Sequence, residues 1–165
     1  DAAASRIDTA GARVERHSDR LPDLAAAHAG YTAMLTTAMS RGAPPPPDLM
    51  SAHDWMMALD VQLAFRRQWA ALFEDFDVVL APAFGVVAFP HQTAPFEERV
   101  HVIDGRETRY MDQVAWPGMA TYANLPATSV PIGKTRAGLP IGAQVIGPYL
   151  EDRTCLDFAG QLAAL

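Results

Sequence analysis

The first half of the chain carries apolar residues at helical spacing. Residues 1–10 have the pattern of an amphipathic helix that ends at Gly11, a residue suited to a left-handed C-terminal cap. A second helix is predicted from Pro22 to Ser40, because proline is favoured in a first helical turn and Gly42 follows as a stop signal.

The strongest helical pattern covers residues 48–75. Its face-forming side chains recur at steps of three and four residues; they are Trp55, Leu59, Leu63, Arg66, Trp69, Leu72 and Phe73. A weak alternation over residues 12–17 predicts a short strand. Residues 44–47 are consecutive prolines, which cannot continue a helix because each lacks an amide donor. Since this extended connector is too short to separate two domains, we treat residues 1–165 as one segment.

The second half of the chain has the pattern of strands. Residues 77–82 form a continuous apolar run with β-branched members, which is typical of a strand covered on both faces. Residues 101–103 and 106–108 predict the two strands of a hairpin, because the pair Asp104-Gly105 between them suits a two-residue turn.

A helical pattern over residues 110–123 contains Pro117, which predicts a break or a restart after Trp116. The remaining predicted elements are strands over residues 128–130 and 139–146 and a final helix over residues 151–165. Residues 1–75 are thus mainly helical, and residues 76–165 combine strands with helices. Strands separated by helices indicate an α/β fold in which helices pack on a central mixed sheet.

Composition narrows the partner classes. The chain has 165 residues, 50% of them hydrophobic and 19% charged, which fits one domain with a substantial core. The net charge is −6, and Lys134 is the single lysine among 13 basic residues, so nucleic acid and anionic membranes are not expected as partners. The single cysteine, Cys155, allows no internal disulfide, and no apolar run has membrane-spanning length. Both observations favour a cytoplasmic location.

The residues alone supply no complete catalytic set. Gly133-Lys134-Thr135 is similar to the end of a phosphate-binding loop, but Thr128 stands where that loop needs a glycine, so a polar turn between strands is the better interpretation. The five histidines lack metal-ligand spacing, and no Gly-x-Ser-x-Gly nucleophile motif occurs. Cys155 has apolar neighbours and is expected in the core rather than as a nucleophile. We therefore expect no metal, no cofactor and no catalytic residue in this chain.

Several stretches, taken in order, carry a family resemblance. They are residues 72–82 (LFEDFDVVLAP), 110–117 (YMDQVAWP), 125–133 (LPATSVPIG) and 138–152 (GLPIGAQVIGPYLED). This succession resembles the C-terminal part of the amidase signature family, and the resemblance covers nearly the whole chain.

The resemblance implies hydrolysis of a carboxylic amide to an acid and an amine or ammonia. In that family a serine attacks the carbonyl, activated through a second serine and a lysine, and an acyl-enzyme forms. The serine-rich signature and the lysine belong to the family's N-terminal part, which nothing here matches, and Lys134 lacks the catalytic lysine's context. The implied partners are a small-molecule amide and an N-terminal catalytic half; this segment alone is expected to be inactive, and a homo-oligomer stays open.

The resemblance also implies a substrate-pocket wall on the acyl side. It nominates Phe84, Asp112, Trp116 and Met119 as substrate-binding residues. Trp116 is equally well interpreted as a core residue, and Asp112 as a helix-start or solvent residue. If Phe84 and Trp116 line the pocket, an apolar or aryl acyl group is expected.

A different class of function fits the same residues. A stand-alone, non-catalytic module descended from an amidase would bind a partner through the surface that the catalytic half would otherwise cover. Such a module should present a polar-rimmed surface, whereas a severed half should expose a large apolar patch.

Overall fold

A computed structural model describes residues 2–42, 44 and 49–165 of this chain. The helices are α1 (Ala2–Thr9), α2 (Leu24–Met39), α3 (Ala52–Leu72), α4 (Ala115–Tyr122) and α5 (Asp152–Ala164). The strands are β1 (Val79–Pro82), β2 (Val100–Ile103), β3 (Arg106–Arg109), β4 (Ala127–Lys134) and β5 (Pro140–Ile146). Two short 3-10 helices cover Phe96–Glu98 and Tyr110–Val114.

Side-chain caps define where α2 and α3 begin. Asp23 accepts hydrogen bonds at 3.0 Å from the amides of the second and third residues of α2, so this helix starts just after Pro22. Ser51 and Asp54 form a capping box at the start of α3. The predicted helix over residues 48–75 is therefore confirmed with narrower bounds.

Two local predictions are wrong. Residues 12–17 form no strand, because no neighbouring strand pairs with them; instead Val14 packs into the core from an irregular segment. Pro117 does not interrupt α4, since it lies in the first turn, where its missing amide hydrogen is not needed. The change of helix type comes earlier, where the 3-10 turn ending at Val114 passes into α4. Within the predicted proline connector, residues 45–47 lie outside the described part of the chain.

The α3 face is only partly as predicted. Phe65, Trp69 and Leu72 are buried in the second half of the helix, but Leu59 is 42% exposed. In the first half of α3, Trp55 and Ala58 pack against the cluster that contains Ala27 and Met34 of α2, whereas Leu59 lies outside it.

The β2–β3 hairpin is confirmed. Its strands pair antiparallel from Val100↔Arg109 to Ile103↔Arg106. Asp104 and Gly105 have φ values of 50° and 76°, the left-handed pair that a tight hairpin turn requires.

A three-stranded antiparallel sheet with the order β1–β5–β4 forms the centre. The α/β class is confirmed, and every strand pair in the described residues is antiparallel. Gly133 and Lys134 are the last two residues of β4 and pair with Ile141 and Pro140, so the predicted turn is shifted and begins only at Thr135; these residues form no phosphate-binding loop.

Alternation along β5 divides the core into two layers. Ile146 packs with Trp69 and Leu72 of α3 and with Ala120 of α4, on one face of the sheet. Val145 packs with Cys155 of α5, and Ile7 of α1 joins the same cluster on the other face. Because β1 contributes Val79 to the first cluster and Leu80 to the second, the prediction that residues 77–82 are covered on both faces is confirmed.

Candidate functional site

The predicted pocket-wall residues lie in the loop after β1 and in the helical segment that follows the hairpin. Phe84 follows the end of β1 by two residues, Asp112 lies in the 3-10 turn, and Trp116 and Met119 lie in α4. All four are partly buried. We refer to the β1 loop, the 3-10 turn and α4 together as the wall segment.

Gln144 joins the two halves of the wall segment. Its Nε2 donates one hydrogen bond to the Pro82 carbonyl oxygen at 2.9 Å and another to the Trp116 carbonyl oxygen at 2.7 Å. Gln144 lies in the middle of the central strand and is only 5% exposed. The loop that carries Phe84 and the helix that carries Trp116 therefore converge on one buried nitrogen.

Phe84 belongs to an aromatic cluster that also contains Phe89, Phe96, His101 and Tyr110. Its ring centroid lies 6.5 Å from Phe89, 6.0 Å from His101 and 6.1 Å from Tyr110. His101 and Phe89 are in edge contact at 4.3 Å, and Phe96 meets Tyr110 at 5.1 Å. The cluster pins the irregular loop after β1 against the hairpin, with offset and edge-on geometries that aromatic rings favour.

Asp112 forms an ion pair with Arg109, with 2.8 Å between Oδ1 and Nη2. The hydrogen bond and the negative charge of Asp112 raise the pKa of the Arg109 guanidinium. Both side chains are exposed enough for water to weaken the pair. The carboxylate is therefore paired with a residue three positions earlier in the chain.

Met119 is partly buried and borders the core. It packs against the cluster of Trp69, Ile146 and Ala120. The structure thus ties the end of β1, two residues before Phe84, and the backbone of Trp116 to Gln144, and it places Asp112 in the adjoining 3-10 turn.

Two buried polar atoms near Phe84 have no hydrogen-bond partner. They are His101 Nε2 and Gln113 Oε1, in residues that are 5% and 3% exposed. Gln113 lies so close to Gly85 that a Cβ there would overlap its Oε1. The sequence analysis assigned no role to His101, Gln113 or Gln144. For Gln144 a signal was available, because a polar amide inside an apolar strand pattern needs a buried hydrogen-bond partner.

Two surface depressions lie elsewhere. One of about 430 Å³ is lined by residues of α2 and by Met50, and one of about 390 Å³ lies between α1 and Leu165. Neither contains a predicted wall residue. Among the described residues no group of three His, Cys, Asp or Glu side chains could hold a metal ion, and no helix is long and apolar enough to cross a membrane.

The family model described as Amidase aligns with residues 19–156. The chain therefore belongs to the amidase family, and the resemblance drawn from the sequence is confirmed.

Curated relatives resemble the chain in sequence, and solved structures resemble it in fold. A glutamyl-tRNA(Gln) amidotransferase subunit from Synechococcus sp. (strain WH7803) is 37% identical over 107 residues, which cover 63% of this chain and 20% of the relative. The fatty acid amide hydrolase of Medicago truncatula is 30% identical over 115 residues, covering 70% of this chain and 18% of the relative. The structure of 6-aminohexanoate cyclic dimer hydrolase complexed with substrate superposes with a TM-score of 0.71 at 18% identity, covering 99% of this chain and 39% of that one. The chain spans about a fifth of the curated relatives it matches.

Proposed function

We propose that this chain is the C-terminal part of an amidase that hydrolyses a carboxylic amide to an acid and an amine or ammonia. The serine–serine–lysine machinery lies outside these residues in this proposal, and the chain contributes sheet core and the acyl-side wall of the substrate pocket. Phe84, Asp112, Trp116 and Met119 belong to that wall. The observation that carries the proposal is the family match over residues 19–156.

The wall has an apolar and aromatic character. Phe84 is surrounded by other rings, and Trp116 is partly buried on a helix tied to the same point of the sheet. Aromatic and apolar linings are typical of small-molecule pockets, in which a few polar groups fix orientation. We therefore propose an apolar or aryl acyl group as the preferred substrate feature.

The first experiment is the intact mass of the protein in its source cells, followed by an assay of the full-length protein. A mass well above the 17.8 kDa of this chain directs the assay to one polypeptide. A mass of 17.8 kDa directs it to this chain mixed with whatever chain co-purifies. Release of amine or ammonia from acetamide and benzamide supports the proposal, and no release from any amide or anilide overturns it.

The wall is tested by Trp116→Ala. We expect kcat/KM for benzamide to fall about tenfold more than kcat/KM for acetamide, because the lost ring leaves the larger acyl group without contacts. Trp55→Ala, which removes a partly buried indole on α3, is the matched control and should leave the ratio of the two substrates unchanged. Equal losses for both substrates in Trp116→Ala would remove this residue from the wall.

A partner-binding module is the second candidate. Its binding surface would be the first half of α3, where Met56, Met57, Leu59 and Val61 are exposed. Both candidates need this surface to be covered, either by the catalytic half or by another protein. A 17.8 kDa native chain that is inactive and co-purifies with a non-amidase protein would favour the module.

A further inference from the structure

We infer that Gln144 is a positioning residue that sets the spacing between the two aromatic parts of the acyl-side wall. Its two hydrogen bonds, to the carbonyl oxygens of Pro82 and Trp116, are called the Gln144 clamp below. The inference rests on the proposed function for its activity assay, but the clamp itself is a structural arrangement that is measured independently.

Burying the Gln144 amide costs free energy that packing contacts alone do not offset. Gln144 stands between Ala143 and Val145 in β5, where it pairs with Ala81 of β1 and Ser129 of β4, and its 5% exposure leaves the amide almost without water. A buried amide is unfavourable unless its hydrogen bonds are satisfied. An apolar side chain of similar length would fill the same space, so packing alone does not call for glutamine here.

The two acceptors of the clamp satisfy the Gln144 nitrogen and come from distant parts of the chain. A glutamine amide nitrogen has two hydrogens, and each of them has one carbonyl acceptor, at 2.9 Å and 2.7 Å. The acceptors belong to segments separated in sequence by the whole β2–β3 hairpin. Pro82 ends β1, which already pairs with β5, so the Gln144 nitrogen ties α4 to the point where the loop carrying Phe84 leaves the sheet.

Both clamped segments carry an aromatic side chain of the wall. Phe84 follows Pro82 by two residues, and its ring is then held by His101 and Tyr110. Trp116 itself supplies the second acceptor. The clamp binds backbone atoms close to both aromatic side chains. Loss of the clamp should therefore change the distance between these side chains, while the side chains that line the wall stay the same. A misplacement of about 1 Å can cost on the order of 100-fold in rate when it alters how a substrate is held.

The test uses the full-length enzyme with Gln144→Met, which keeps an unbranched side chain and removes both donors. Gln161→Met is the matched control, because Gln161 lies exposed on α5 and its amide bonds to Asp157 on the same helix. We expect kcat/KM for benzamide to fall about tenfold more than for acetamide in Gln144→Met, and the ratio to stay unchanged in the control. Equal falls for both substrates, which a purely structural role would produce, overturn the inference.

Hydrogen exchange followed by mass spectrometry provides a readout that needs no activity. We expect Gln144→Met to raise amide exchange in both residues 83–99 and residues 115–122, and Gln161→Met to raise it in neither. Faster exchange in only one segment, or in none, overturns the clamp. If the wild-type enzyme hydrolyses no amide, the proposed function fails while the exchange experiment still decides the clamp.

Gln144→Asn covers the case in which the methionine variant does not fold. The shorter side chain keeps the amide but cannot reach both carbonyl oxygens. We expect the same direction of change in selectivity and in exchange. Wild-type behaviour in this variant overturns the inference.

Discussion

Gly118 of α4 lies directly beneath the ring of Tyr31 of α2. A Cβ at Gly118 would stand 2.6 Å from Tyr31 Cδ1, a distance that side chains do not tolerate. The relationship is reciprocal, because a Cβ at Gly30 of α2 would meet the Tyr122 hydroxyl oxygen of α4. Each helix thus offers a glycine to the other's tyrosine, and the two backbones approach closely. This crossing holds α4, and with it Trp116, against the helical half of the chain.

The glycine–tyrosine crossing predicts a loss of stability for Gly118→Ala. Overpacking costs about 1–3 kcal/mol, and the higher helix propensity of alanine returns about 1 kcal/mol, so a net loss of up to about 2 kcal/mol is expected in urea unfolding of the full-length protein. Gly30→Ala should act in the same direction, because Tyr122 is buried and cannot move aside.

Gly160→Ala is the matched control for this prediction. Gly160 lies inside α5, and a Cβ there would meet nothing within 4 Å. Alanine should therefore stabilise the helix by about 0.5–1 kcal/mol. If all three variants shifted stability by the same amount, helix propensity alone would explain the results and the crossing would carry no special constraint.

We expect replacement of Leu150 by glycine to stabilise the protein. Its φ of 66° is in the left-handed region, which is unfavourable for a branched side chain, and the side chain is 74% exposed. Leu150→Gly should raise the free energy of unfolding by about 1 kcal/mol, since strain is relieved and little packing is lost. Leu156→Gly, in α5 and 60% exposed, should instead lower it by about 1 kcal/mol. A loss of stability in Leu150→Gly would show that the leucine contributes packing that outweighs the strain.

The capping box of α3 predicts a pH-dependent effect. Hydrogen bonds from the side chain and backbone of Ser51 lower the pKa of Asp54 below its ordinary value of 3.8. The stabilisation is therefore present above that value and is lost as the pH falls through the lower pKa of the folded state. Ser51→Ala should lower Tm at neutral pH, and the difference from wild type should shrink at a pH well below 3.8, as the carboxyl takes up its proton.

Ser40→Ala is the comparison for the capping box. The Ser40 hydroxyl donates to the Thr37 carbonyl oxygen at 2.8 Å, an interaction without a carboxylate. Its effect on Tm should not change between the two pH values. A Ser51→Ala effect of the same size at both values would mean that Asp54 contributes nothing through its charge.

We expect the Cys155 thiol to be unreactive in the folded protein. Burial, together with the negative charge of Asp152, raises the pKa of this thiol above its ordinary value, and the Sγ packs against Gly147. Less thiolate is therefore present at any given pH, and reagents cannot reach it. The peptide containing Cys155 should be alkylated by iodoacetamide only as fast as the protein unfolds, whereas a Ser5→Cys variant should be alkylated promptly at its exposed new thiol. Prompt labelling of native Cys155 would contradict its place in the core.

The sequence predicts those elements whose signals are local. Asp104-Gly105 demands a particular backbone, and the hairpin forms around it. Gly11, at φ 99°, ends α1 for the same reason. The strand predicted over residues 12–17 is wrong because a strand exists only when another strand pairs with it, and alternation in one segment cannot report a missing neighbour.

The candidate site is less accessible to sequence reasoning. Phe84 and Trp116 are nominated through the family resemblance, whereas Gln144 lies in a matching stretch without standing out from it. Its importance depends on two carbonyl oxygens from distant parts of the chain, and no periodicity encodes which backbone atoms a side chain meets. The same holds for Met119, whose packing against the cluster that contains Trp69 and Ile146 depends on how the helices meet the sheet.

The two-layer division of β5 has a consequence for how such a protein can diverge. Gln144 and Ile146 face the layer with α4, while Val145 faces the layer with α5. The sheet separates the two layers. Substitutions on the α4 side can therefore change that side without altering the hydrophobic contacts on the α5 side, because the stability effects of distant substitutions usually add independently. A lineage with this arrangement can vary the residues beside α4 while half of its core keeps the ancestral packing.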